Sequence, residues 1–150
     1  MAHLQISQVI AAPRLEVFSF LCDPGQLPFL LQPKVDVQVL NPEIPLRRGN
    51  ELHFMMTRFG FTQSVRFQVD DVLPGTRLVY RQVEGLFASW THAIKFEEHG
   101  KDSTRVIDLV DYELPFGLIG YLMDDVLIKS DLTSLLQLRL QKTREKFQDV

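Results

Sequence analysis

The chain has 150 residues, 45% hydrophobic and 23% charged, which suits one globular domain spanning 1–150 with a substantial core and argues against two independent ones. Its formal net charge of -3 lacks the Lys and Arg surplus on which non-specific DNA or RNA binding depends, so no nucleic-acid partner is expected. A lone cysteine, Cys22, set in an apolar helical pattern, and the lack of a charged-then-apolar leader lead to the expectation of a reduced, cytoplasmic protein.

Leu4, Ile6 and Gln8 alternate with Gln5, Ser7 and Val9, predicting a first strand that ends before Ala12-Pro13. Val17, Phe18, Phe20 and Leu21 then recur at helical spacing until Asp23-Pro24-Gly25 breaks the pattern. A second short helix or turn follows from Gln26 to Leu31, made irregular by Pro28 and Pro33. From Val35 the period changes to two: Val35, Val37 and Val39 first, then Leu52, Phe54, Met56 and Arg58 on one face. Arg58-Phe59-Gly60-Phe61 reads as a hairpin turn, after which Val65, Phe67 and Val69 alternate with Arg66, Gln68 and Asp70.

Three further strands are predicted over Leu78 to Glu84, Phe87 to Glu97 and Thr104 to Leu114. Short turns between consecutive strands require antiparallel pairing. Leu114 to Met123 is the longest apolar stretch, but Pro and Gly interrupt it and it is too short to span a bilayer, so no stable membrane insertion is expected. From Leu118 to Phe147 the pattern is helical for about 30 residues, or about 45 Å at 1.5 Å per residue. Leu118, Ile119, Leu122, Val126, Leu136, Leu140 and Phe147 share one broad face, with Lys129 and Thr133 in its middle. The expected fold is therefore α+β: a curved antiparallel sheet of about seven strands wrapped around a long C-terminal helix, with two short helices after strand 1.

The order of Ile10-Ala11-Ala12-Pro13 with Val17-Phe18, Gly85-Leu86-Phe87 with Trp90 and His92, Asp108 with Tyr112-Glu113-Leu114-Pro115-Phe116-Gly117, and later Leu135-Leu136-Gln137-Leu138-Arg139 resembles the SRPBCC superfamily of helix-grip proteins. That superfamily includes START lipid-transfer domains and polyketide cyclase/dehydrase relatives. The resemblance covers nearly the whole chain and implies a cavity between sheet and helix. It does not choose between carriage and catalysis, because one fold hosts both. Arg139 matches an arginine often seen in this branch; read from the residues alone, it is a charge at the edge of the helix's buried stripe.

Trp90, His92, Ile94 and Phe96 share one face of their strand, as do Val106, Asp108, Val110, Tyr112 and Leu114 on the next. A register that sets His92 opposite Asp108, and Trp90 opposite Val110, would make a buried imidazole–carboxylate pair with a raised imidazole pKa. Such a pair is first of all a structural bond, next a ligand-orienting group and last an acid/base couple. Around it, Phe54, Met56, Phe67, Tyr80, Gln82, Trp90, Tyr112, Leu122 and Val126 are candidates for ligand contact, and His92 and Asp108 for orienting or catalytic work.

The histidines His3, His53, His92 and His99 lack metal-type spacing, and no phosphate loop or nucleophile motif is present, so neither metal nor cofactor is expected. The preferred function is binding or transport of a small hydrophobic molecule such as a lipid or polyketide; the alternatives are a cyclase/dehydratase in which His92 with Asp108 moves a proton, or an interaction or stress-related module whose core is filled by bulky residues. The binding reading puts the entrance near the start of the long helix and the loops at Arg58 to Phe61 and Leu114 to Gly120, with Gly117 and Gly120 permitting gating. Exposed apolar residues at Phe59 and Phe61 would serve as a pocket lip or a homodimer contact.

Overall fold

The computed structural model describes residues 1–41, 45–115 and 125–148. Seven strands form one antiparallel sheet: β1 (Ala2–Ile10), β2 (Asp36–Val39), β3 (Glu51–Arg58), β4 (Phe61–Leu73), β5 (Arg77–Glu84), β6 (Ser89–Glu98) and β7 (Thr104–Glu113). Their order across the sheet is β1-β7-β6-β5-β4-β3-β2. Six consecutive strands, β2 to β7, thus make a meander, and β1 closes one edge beside β7. Between β1 and β2 the chain forms α1 (Arg14–Leu21), a short 3-10 turn at Pro24–Gln26 and α2 (Leu27–Leu31). Asp23 accepts a hydrogen bond from the Gly25 N–H at 2.9 Å, which explains why the chain turns there.

The long helix α3 runs over Asp125–Lys146. Those 22 residues give a length of about 33 Å, and the remaining residues predicted to be helical, 118–124, lie outside the described ones. Its buried stripe is Leu132, Leu136, Arg139, Leu140 and Thr143, at the three- and four-residue steps of one helix face. Val126, expected on that face, is exposed. Ten residues before Leu136 it has rotated about 80° off the stripe at 100° per residue. Lys129 is exposed, and Thr133 turns its hydroxyl back to the Lys129 carbonyl at 2.7 Å, so neither interrupts the core.

Register shifts between Arg66 and Phe67 and between Val69 and Asp71 bend β4 against β5, the curvature that lets a sheet wrap a helix. The apolar interior falls into two clusters. One joins Ile10, Val17, Leu30, Phe54, Val69, Ile94, Phe96, Val106 and Leu140; the other joins Leu4, Val110, Tyr112, Leu132 and Leu136. On β7 the boundary between them falls at Asp108, and on α3 at Arg139.

Candidate functional site

The β6–β7 hairpin pairs His92 with Val110, Ile94 with Asp108 and Trp90 with Tyr112, two residues away from the expected register. A shift of two preserves the face, so His92 and Asp108 both still point inward. They meet on the diagonal: His92 Nε2 lies 2.8 Å from Asp108 Oδ1. Both are almost fully enclosed, at 1% and 0% exposure.

Two further side chains complete the group. Arg139 reaches across from α3, its Nη1 donating to Asp108 Oδ2 at 3.0 Å and Oδ1 at 3.2 Å. Tyr80, directly opposite His92 on β5, bonds through its hydroxyl to Nδ1 of His92. The direction of every bond follows from the chemistry. An ionised carboxylate only accepts, so Nε2 carries the ring proton; Nδ1 of the neutral ring then accepts, and the Tyr80 hydroxyl donates to it.

Burial pushes the His92 pKa below its ordinary value and outweighs the neighbouring Asp108 carboxylate. This reverses the expected upward shift, which assumed that the carboxylate would dominate. Burial also opposes ionisation of Asp108, but the charge of Arg139 and the bond from His92 prevail and hold its carboxyl below the usual range. Arg139 loses solvation too, and Asp108 more than compensates, keeping the guanidinium charged. The ion pair therefore cancels, and the group is neutral overall. Burial raises the Tyr80 pKa as well, so its phenol stays protonated.

His92 is consequently closed on both ring nitrogens, and the group that can face a ligand is Tyr80. Its proton is directed inward, which leaves oxygen lone pairs to accept. The Trp90 indole N–H is close enough to Tyr80 to favour negative charge on its oxygen, but it has no hydrogen-bond partner of good geometry among the described residues. Tyr80, Phe67, Met56, Gln82 and Trp90 are all half-buried on the inner face. Phe67 meets Tyr80 edge to face at 5.0 Å between centroids, and Tyr80 meets His92 at 4.9 Å.

The remaining candidates have other placements. Phe54 (2% exposed) and Tyr112 (0%) are enclosed, Tyr112 beneath Phe87 and Trp90. Gln82 gives both ends of its amide to the Phe87 backbone, Nε2 donating at 2.7 Å and Oε1 accepting at 3.2 Å, so it pins the β5–β6 turn. Leu122, Gly117 and Gly120 lie outside the described residues. Two surface depressions, of about 490 and 410 Å³, lie beside β1 and α3 at Ile6, Gln8, Lys34 and Gln137, and across β2, β3 and β4 at Val37, Met55 and Thr62. Neither touches the polar group. Among the described residues no His, Cys, Asp and Glu cluster suits a metal, and no helix is long and apolar enough to cross a membrane.

Arg139 is the central residue that the sequence reading set aside. The signal was present: it sits three residues after Leu136 and directly before Leu140, inside the apolar stripe. A charge there requires a buried counter-charge, and Asp108 was already marked as inward-facing.

No family model matches the chain, and no curated protein does. Solved structures of the same shape do exist. Protein CV1439 from Chromobacterium violaceum superposes with a TM-score of 0.74 at 16% identity, over 99% of this chain and 98% of that one. A START superfamily protein from Mycobacterium smegmatis gives 0.74 at 14% identity, over 97% and 96%. The di-domain ARO/CYC StfQ from the steffimycin biosynthetic pathway gives 0.71 at 16% identity, over 95% of this chain and 49% of that protein. The chain thus has a START-like helix-grip fold.

Proposed function

We propose that the protein binds a small, uncharged, largely apolar molecule against the concave face of the sheet, with the Tyr80 oxygen as its polar contact. One observation carries this reading: the inner-face row Met56, Phe67, Tyr80 and Trp90 remains half-buried directly above a fully buried polar chain. Apolar surface supplies affinity and a single fixed polar group supplies orientation. Because Asp108 and Arg139 neutralise one another, the site offers no net charge to a carboxylate or an amine. A lone Tyr80 acceptor favours a ligand carrying a hydroxyl or N–H donor.

The second reading is an enzyme of the cyclase or dehydratase kind, favoured by the continuous chain Tyr80–His92–Asp108. In that case the atom touching substrate is Tyr80 Oη, which would pass its proton to His92 Nδ1, while Asp108 holds the imidazolium so formed. Ligand-bearing protein decides between an occupied site and the filled-core interaction module. Native mass spectrometry of the purified chain, followed by organic extraction, should reveal a neutral apolar molecule at one per chain. A mass that remains bare after incubation with neutral lipid and polyketide-like extracts contradicts the binding reading.

A further inference from the structure

The β3–β4 hairpin ends in the two-residue turn Phe59-Gly60, closed by the pair Arg58 and Phe61. Both turn residues have positive φ, 53° and 80°. That turn matches the twist of the strands and ordinarily selects Asn-Gly or Asp-Gly. A phenylalanine there works against its own Cβ, and burial does not compensate it, since Phe59 is 83% exposed and Phe61 80%. Strained residues of this kind tend to mark functional positions.

The tip also projects. Pairing of β4 with β5 begins only at Arg66 and Glu84, so residues 61–65 extend past β5 by about 17 Å at about 3.3 Å per residue. Phe61 lies on the face of Gln63, Val65 and Phe67 and continues the concave row outward. Arg58 ties the hairpin to α3 through Asp131, Nη1 to Oδ2 and Nη2 to Oδ1, each at 2.5 Å. The exposed Leu127 is one helical turn before Asp131, and the exposed Leu86 is in the β5–β6 turn at the same end of the sheet.

We propose that this end of the molecule docks on a lipid bilayer, with Phe59 and Phe61 entering the interfacial layer. Two Phe side chains on a narrow tip offer about 300–500 Å², well short of the roughly 800 Å² per partner of a stable dimer. A soft interface accepts such a wedge, and aromatic rings favour that depth. Arg58, the cation at the turn itself, is neutralised by Asp131, so docking rests on apolar insertion and needs no anionic lipid.

Cosedimentation with vesicles of pure phosphatidylcholine tests this. Wild-type protein pellets with the vesicles, and the double variant Phe59→Asn with Phe61→Ser loses about tenfold in partitioning without a lower thermal midpoint, since Asn tolerates the left-handed turn. Added phosphatidylglycerol changes wild-type binding by less than about twofold. The proposal is overturned by wild type that stays in the supernatant, by binding that appears only with phosphatidylglycerol, or by equal binding of the double variant. A wild-type dimer that the double variant converts to monomer would also overturn it, assigning the tip to a second copy.

Discussion

Asp108 and Arg139 hold one another's charges in the core, and removing one partner strands the other. Asp108→Asn or Arg139→Met alone is expected to cost about 3–5 kcal/mol, a large share of the roughly 5–15 kcal/mol that stabilises such a domain. The double variant removes both charges while Asn keeps an acceptor for His92 Nε2. Its denaturant midpoint should therefore lie above that of either single variant, and an additive loss would show that the pair is not coupled. The same geometry fixes a pH dependence. His92 stays neutral in the fold below its ordinary pKa of 6.5, whereas the unfolded chain takes up a proton there. Stability is complete above pH 6.5 and falls as pH drops below it, by up to about 1.4 kcal/mol per pH unit until the folded pKa is passed. Asp108, held below its ordinary 3.8, adds a further loss as pH falls below that value. His92→Gln should remove the first of these slopes, which thermal unfolding across pH would record. At this scale the inward carboxylate and imidazole were legible from the period of two alone. So was their pairing with one another; the bonds to Tyr80 and Arg139 and the downward shift of His92 were not, because whether burial or a neighbouring charge dominates a pKa depends on enclosure that a strand pattern does not encode.

The strands were legible as elements because β-branched and aromatic residues alternate over each of them, and their bounds differ from expectation by a residue or two at most ends. Register was harder. The turn at Gly85–Ala88 holds its shape through the Gln82 amide, a side-chain device invisible to hydrophobic periodicity, and the β6–β7 register follows from the turn at the other end, where Asp102 has a φ of 59° and Gly100 of 68°. The helix stripe was misphased at Val126, which is apolar yet exposed. The phase that the structure selects makes Leu140, 1% exposed, the residue that seats α3 on the larger cluster. Leu140→Ala should cost about 2–5 kcal/mol in chemical denaturation, whereas Leu127→Ala should stay within about 0.5 kcal/mol. Equal costs would contradict the helix phase.

Across the whole molecule, a sheet curved by the β4 bulges holds α3 against its concave side, and the Tyr80–His92–Asp108–Arg139 chain crosses that interior from sheet to helix. Its neutral sum and the half-buried aromatic row beside it are what lead from fold to ligand chemistry. The chain has a single tryptophan, and it stands in that row, so Trp90 emission reports the site alone. The most direct measurement is energy transfer from Trp90 to the neutral apolar probe N-phenyl-1-naphthylamine, using protein stripped over a hydrophobic resin. The account predicts saturable transfer at one probe per chain, weakened about tenfold by Met56→Lys, which sets a charge on the apolar face. Transfer that never saturates, or that saturates identically in Met56→Lys, would contradict it.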